Sequence, residues 1–277
     1  MNHSAPDSIQ QKYRFHNQSR YKSRKRFGQN FLHDHGVINR IIASVCPKQG
    51  DHVVEIGPGR GALTGQLLDG AGELDVIELD RDLIPWLKLH FGRTRHFRAH
   101  EADALHFDFQ SIKQDDRPLR IVGNLPYNIS TPLIFHLFSF ADIVKDMHFM
   151  LQKEVVERLC ATHGDNHYGR LSVMARYYCR TEYLFQVGSG AFCPAPEVDS
   201  AMVRLIPWAD PPHPCKDIFL LETVVKDAFG MRRKTLRNSL KRRISASELT
   251  ALDVDPSIRP ERMRLESFVR IADYLAQ

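Results

Sequence analysis

Val53-Val54-Glu55-Ile56-Gly57-Pro58-Gly59-Arg60-Gly61-Ala62 decides how this 277-residue chain is read. The short apolar run Val53 to Ile56 predicts a buried strand, and the glycines after it predict a tight turn into a helix reaching Leu68. Glycines at this place let backbone approach a ligand closely. Their spacing satisfies G-x-G-x-x-A, the fingerprint of a dinucleotide-type site at a strand end. Glu78 ends a second apolar run, Leu74 to Leu79, and stands 21 residues after Gly57. A carboxylate there suits the two hydroxyls of a ribose. Asp103 follows a weak third strand, in Glu101-Ala102-Asp103-Ala104, where a carboxylate suits the amino group of an adenine. These parts imply an adenosine-bearing cofactor without choosing it. Taken singly, the glycine turn also fits a plain strand-to-helix connection, and Asp103 also fits a helix cap or a solvated loop.

Outward from this stretch, strands and helices alternate. Apolar residues at helical spacing run from Val37 to Val45. Leu83 to Leu89 predicts a helix in which Pro85 is tolerable only near the first turn. Leu119 to Val122 and Met147 to Leu151 predict strands, each leading toward a helix, near Leu133 to Phe138 and from Lys153. Tyr168 to Cys179 reads as helix, and Ala201 to Ile206 as a closing strand. The alternation predicts an α/β fold, a parallel sheet with helices on both faces. Residues 207–214 hold four prolines and read as a linker. Beyond them only helical patterns occur, over 216–229, 233–244, 246–252 and 266–275. The expected organisation is therefore a flexible basic arm over 1–23, a cofactor-binding catalytic domain over 24–207 and a small all-helical domain over 208–277.

Charge follows the same division. The net formal charge is +5, but residues 1–30 hold seven Lys and Arg against one acid, and residues 31–207 hold 18 bases against 22 acids. Residues 208–277 hold 13 bases against ten acids, so contact with a polyanion is expected at the two ends of the chain. Arg20, Lys22, Arg24, Lys25 and Arg26 form one basic cluster. Arg232, Arg233, Lys234, Arg237, Lys241, Arg242 and Arg243 form another, with Arg233, Arg237 and Lys241 every fourth residue opposite an apolar side of Phe229, Leu236, Leu240 and Ile244. That pattern predicts a helix with a core face and a phosphate-facing stripe, the alternative being a solvated face. The five cysteines are scattered and unpaired in sequence, which predicts a reduced, cytoplasmic chain. The opening residues lack the apolar core of a signal peptide, and no apolar run approaches membrane-spanning length, so no membrane partner is expected. His33 with His35, and Cys160 with His163 and His167, have spacings a metal can use. Solvated surface positions account for them, and no metal is expected.

The chemistry lies in Asn124-Leu125-Pro126-Tyr127, at the end of the strand from Leu119. The amide oxygen of Asn124 and the backbone carbonyl of Leu125 can accept the two hydrogens of an exocyclic amine. Pro126 fixes the turn, and the Tyr127 ring can stack on a flat base. An aromatic amine is a poor nucleophile because its lone pair is delocalised into the ring. Two acceptors draw its nitrogen toward a pyramidal geometry and free that pair for an electrophile. Catalysis then needs positioning and electrostatics and no covalent enzyme intermediate.

With these residues the chain resembles the bacterial rRNA adenine dimethyltransferases that modify two adjacent adenines near the 3′ end of 16S rRNA. The segments carrying the resemblance are Lys25-Arg26-Phe27-Gly28-Gln29-Asn30-Phe31-Leu32, Glu55 to Gly59, Val76-Ile77-Glu78-Leu79-Asp80, Gly123 to Ile129, Gln152-Lys153-Glu154-Val155, Tyr168-Gly169-Arg170-Leu171-Ser172, Phe192 to Ser200 and Arg232 to Asn238. They run from residue 25 nearly to the C-terminus, in family order. The resemblance implies a Rossmann-like class I methyltransferase domain and S-adenosyl-L-methionine as cofactor. It implies that Asn30 and Leu32 close over that cofactor, that Gly57 and Gly59 approach its methionine part, that Glu78 binds its ribose, and that Asp103 and Ala104 meet its adenine. Asn124 also borders it. Asn124, Leu125, Pro126 and Tyr127 would hold the target base, with Phe192 as a second stacking ring. Arg24, Lys25, Arg26, Arg232, Arg233, Lys234, Arg237 and Lys241 would contact RNA. The implied partner is 16S rRNA within an immature small ribosomal subunit, met by a monomer. Other RNA or DNA carrying an adenine stays open as substrate. A nicotinamide-dependent dehydrogenase fits the glycine loop alone and leaves Asn124 unexplained. A purely non-catalytic assembly factor leaves the whole turn unexplained.

Overall fold

The computed structural model describes residues 30–231 and 233–277. The predicted arm over 1–23 and the expectations for Arg24, Lys25, Arg26 and Arg232 lie outside the described residues. A two-residue strand β1 (Phe31–Leu32) leads into α1 (His35–Val45), whose N-terminus is capped by Asp34 accepting from the Val37 N–H at 2.9 Å. The chain then alternates as its apolar runs predict. It passes through β2 (His52–Ile56), α2 (Thr64–Ala71), β3 (Glu73–Glu78), α3 (Ile84–Phe91), β4 (Phe97–Glu101), β5 (Leu119–Asn124), α4 (Ser130–Phe138) and β6 (Val144–Gln152). Pro85 falls in the first turn of α3, where its missing N–H costs nothing.

After α5 (Lys153–Cys160) and α6 (Arg170–Tyr178) the pattern changes. Helix α6 passes directly into β7 (Cys179–Val187), followed by the short β8 (Phe192–Cys193) and by β9 (Ser200–Pro207). Among the described residues the main sheet has the order β4-β3-β2-β5-β6-β9-β7. Strands β4 to β6 run parallel, but β9 is antiparallel to β6 and β7 antiparallel to β9, so the sheet is mixed where a parallel one was expected. Strand β7 gives no clear signal in the sequence because it is an edge strand of half-exposed residues, without a run of fully buried side chains.

Side-chain alternation divides the core into two layers. Val54, Ile56, Ile77, Ile121 and Phe149 pack with Leu133, Ile134 and Leu137 of α4. Val53, Leu74, Val76, Val122 and Met150 face the opposite way, onto Ile38 and Ile41 of α1, Leu67 of α2 and Leu87 of α3.

Beyond β9 the described residues hold helices α7 (Ile218–Phe229), α8 (Leu236–Ser239), α9 (Ala246–Ala251) and α10 (Leu265–Leu275). Leu221, Val224 and Val225 of α7 and Phe268 and Ile271 of α10 share one apolar cluster with Leu171 and Met174 of α6. The continuous helix expected over 233–244 is not formed. Only Leu236–Ser239 is helical, Arg233 has φ of 69°, and turns follow Leu240. Leu236, Leu240 and Ile244 are all buried, so the fourfold spacing does mark a core face. A neighbouring loop takes the backbone donors, with Leu236 N–H bonding the Ile258 carbonyl at 2.9 Å and Arg237 N–H the Pro256 carbonyl at 3.1 Å. Arg233, Lys234, Arg237 and Lys241 are exposed on this series of turns, not aligned along one helix.

Candidate active site

A cavity of about 930 Å³ opens at the C-terminal ends of β2, β3 and β5, where the chain order across the sheet reverses between β2 and β5. Asn30, Leu32, Gly57, Gly59, Glu78, Asp103, Ala104, Asn124, Leu125, Pro126 and Tyr127, all expected from the sequence, line it. Five separate segments are thus brought to one crevice.

The glycine turn forms its floor. Gly57 and Gly59 have φ of 66° and 56°, a region side chains rarely adopt. A Cβ on Gly59 would lie 3.2 Å from the Phe31 ring, so that ring sits directly on the turn. Phe31 also lines the cavity and carries the Arg60 guanidinium 4.9 Å above its centroid. Strand β1 holds it there by pairing with β8, Phe31 opposite Cys193 and Leu32 opposite Phe192.

Two acids stand behind the turn. Glu78 is 6% exposed and accepts from the Gly59 N–H at 3.1 Å and the Asp80 N–H at 2.9 Å. Burial raises its pKa against these backbone donors. Glu55 is 2% exposed and accepts from the Thr64 hydroxyl at 2.6 Å. Burial first, and repulsion from Glu78 second, push its carboxyl up to about 8. In the sequence Glu55 is one residue of a strand, and nothing there shows that its carboxyl is buried until the sheet closes around it. Asp103 is committed to its own turn, accepting from the Leu105 N–H at 2.9 Å, with His106 Nδ1 3.1 Å from its second oxygen.

At the other side of the cavity β5 ends in the Asn124 turn. The Asn124 side-chain nitrogen donates to the Asn30 carbonyl at 3.1 Å, which leaves the amide oxygen as the acceptor for anything entering the cavity. Leu125 is buried, and its N–H bonds the Met150 carbonyl of β6 at 3.1 Å, fixing the peptide plane. The Tyr127 hydroxyl lies 2.7 Å from the hydroxyl of the fully buried Ser200, so the ring is anchored at its tip. In the sequence Ser200 only ends the motif that starts at Phe192; its role depends on β9 lying beside β6, with Ser200 opposite Gln152. Phe192 does not line this cavity. It is 4% exposed and packs with Leu32, Val187 and Ala191, while its neighbours Cys193 and Pro194 line the cavity. To stack on a base its ring has to leave that cluster. The arrangement offers a deep end of glycine backbone and carboxylates, and an outer end with an amide acceptor and an anchored ring.

Known proteins share this architecture. The sequence signature described as ribosomal RNA adenine dimethylase matches residues 20–277. Ribosomal RNA small subunit methyltransferase A of Pseudomonas aeruginosa is 59% identical over 257 residues, covering 93% of this chain and 96% of the relative. Its namesake from Hahella chejuensis is 60% identical over 255 residues, 92% of this chain and 93% of the relative. Among solved structures, a dimethyladenosine transferase from Plasmodium falciparum superposes with a TM-score of 0.74 at 27% identity, over 87% of this chain and 95% of its own. The 23S rRNA methyltransferase ErmE gives a TM-score of 0.68 at 26% identity, over 90% of this chain and 100% of its own.

Proposed function

The chain belongs to the ribosomal RNA adenine dimethylase family, and from that premise we propose that it dimethylates the exocyclic amino groups of two adjacent adenines near the 3′ end of 16S rRNA. The observation that carries this reading is the Asn124 turn, whose amide nitrogen is tied to Asn30 so that its oxygen is left to accept from an amine. The Leu125 carbonyl supplies the second acceptor, and the Tyr127 ring, held by Ser200, stacks on the base. A base taken out of its helix can reach this end of the cavity. After the first transfer the amine keeps one hydrogen, so one acceptor suffices to hold it for the second.

The cofactor we propose is S-adenosyl-L-methionine, which supplies a methyl group activated on a sulfonium. The residues fit it. The glycine turn has no Cβ where a ligand must approach, the buried carboxylate of Glu78 suits ribose hydroxyls, and the cavity volume is within the range of sites for molecules of this size. Asn30 and Leu32 close one wall, and Ala104 and Asp103 offer a surface for an adenine. We assign 24–207 as the catalytic unit and 208–277 as the RNA-facing helices. The exposed Arg233, Lys234, Arg237 and Lys241 contact phosphates of an immature small subunit, and Arg24, Lys25 and Arg26 at the start of the catalytic unit add to them. The enzyme acts as a cytoplasmic monomer.

The test is mass spectrometry of 16S rRNA after unmethylated small subunits are incubated with the chain and labelled S-adenosylmethionine. Two neighbouring dimethyladenosines near the 3′ end are expected. Label confined to other RNA, or no label despite cofactor binding, sinks the substrate assignment.

A further inference from the structure

Among the described residues a second cavity, of about 400 Å³, lies where the end of α6, the start of β7, the end of β9 and the start of α10 meet. It is at the opposite end of the sheet from the candidate active site. Cys179 pairs with Pro207 beside it, whereas Ser200, at the far end of β9, holds Tyr127. At the rise of an extended strand the two sites stand roughly 25 Å apart.

Tyr168 is 5% exposed and lines this cavity, and its hydroxyl makes no hydrogen bond to the described residues. Its oxygen is open to the cavity, where a ligand or water can serve it. Burial pushes its phenol pKa up, so it stays a proton donor. The Arg176 side chain lines the same wall and forms no ion pair among the described residues. Glu266 is the acid of the lining, and it is already shared by His213 Nε2 at 3.5 Å and Arg264 at 3.8 Å. Helix α10 begins here at Leu265, with no side chain capping its first turn, so its positive end is open to an anion. Trp208 adds a ring that is 37% exposed, its edge fixed by an Nε1–H donated to the Arg176 carbonyl at 3.1 Å.

We propose that this cavity binds a nucleotide, with the phosphate on Arg176, the Tyr168 hydroxyl and the start of α10, and the base stacked on Trp208. The nucleotide is either one residue of the rRNA chain or a free nucleotide. The first source rests on the substrate proposed above and extends the footprint to a point remote from the methylated base.

The experiment uses the full chain carrying Trp86→Phe, so that Trp208 is the fluorescent reporter, with adenosine monophosphate as probe and adenosine as the control without phosphate. Tyr168→Phe keeps the ring packing and removes only the hydroxyl; Arg176→Gln removes the charge. Both are expected to weaken saturable quenching by adenosine monophosphate at least about tenfold, while adenosine quenches weakly throughout. Binding of unmethylated small subunits is measured in parallel against salt. A roughly tenfold loss of subunit affinity, with the salt slope reduced by about one for Arg176→Gln, identifies the rRNA chain as the source, whether or not the monomer binds. Lost nucleotide binding with intact subunit binding identifies a free nucleotide. If neither variant changes nucleotide or subunit binding, the proposal is overturned. Methyl transfer at saturating subunit stays at the parental level in both variants. Failure of the parental chain to methylate 16S rRNA at all overturns the proposed function and leaves the nucleotide arm standing.

Discussion

Asn124 uses the two ends of one amide for different purposes. Its nitrogen is spent on the Asn30 carbonyl, and its oxygen is the acceptor we assign to the target amine. Asn124→Ala removes that acceptor without touching the glycine turn, so single-turnover methyl transfer is expected to fall at least about a hundredfold, in line with loss of one oriented polar group at a reacting centre. Equilibrium binding of S-adenosylmethionine should change less than about threefold; a variant that turns over at the parental rate excludes the assigned role. Glu55 makes a prediction of a different kind. Its folded pKa of about 8 lies above the ordinary 4.5, so the native chain keeps a proton that the unfolded chain gives up. Stability from this group is therefore lost as pH rises between those two values. Glu55→Gln keeps an acceptor for Thr64 and never ionises. Its melting temperature should exceed the parent's by about 5 °C or more near pH 8 and match it near pH 5. Equal differences at both pH values would show that Glu55 is ionised throughout.

Among the elements, β9 does the most to complete the site. It is antiparallel to β6, and its register sets Ser200 beside Gln152, within reach of the Tyr127 hydroxyl. Tyr127→Phe and Ser200→Ala should each slow transfer about five- to tenfold, and the double variant should be no slower than either, because both remove the same bond. Additive losses would mean that Ser200 acts apart from Tyr127. The strands that frame the site were legible because β2, β3 and β5 are almost entirely buried and read as largely apolar runs. Strand β7 was not, since only its end residues Cys179 and Val187 are buried and its middle is half-exposed, as suits an edge strand. The expected helix over 233–244 failed for a related reason. Burial of Leu236, Leu240 and Ile244 requires only that they reach the core, and turns bonded to the 256–258 loop do so as well as a helix.

For the molecule as a whole, charge is segregated. Residues 31–207 carry a slight excess of acid, while Arg233, Lys234, Arg237 and Lys241 lie exposed on the C-terminal turns. Arg233→Glu with Arg237→Glu should weaken small-subunit binding and lower the slope of log affinity against log salt by about two, one for each phosphate no longer neutralised. An unchanged slope would return these residues to the role of solvated surface. The helices that present them are not an appendage loosely tied to the sheet, since α7 and α10 share an apolar cluster with α6. The turns carrying the basic residues are thereby fixed relative to the cavity.

The sequence by itself determined that a strand, a glycine turn, an acid at the next strand end and the Asn124 to Tyr127 turn would stand at strand ends around one cavity, the groups to which we assign the cofactor and the amine. These are local properties: apolar runs, positive-φ positions that only glycine fills easily, and functional groups at strand ends. Only the tertiary structure decided that the sheet is mixed, that Phe31 and not Phe192 lies against the cavity, that Glu55 is buried beside Glu78, and that Ser200 anchors Tyr127. Each of these depends on which distant segments become neighbours. That choice is made by packing of the whole core, which no single stretch of chain encodes.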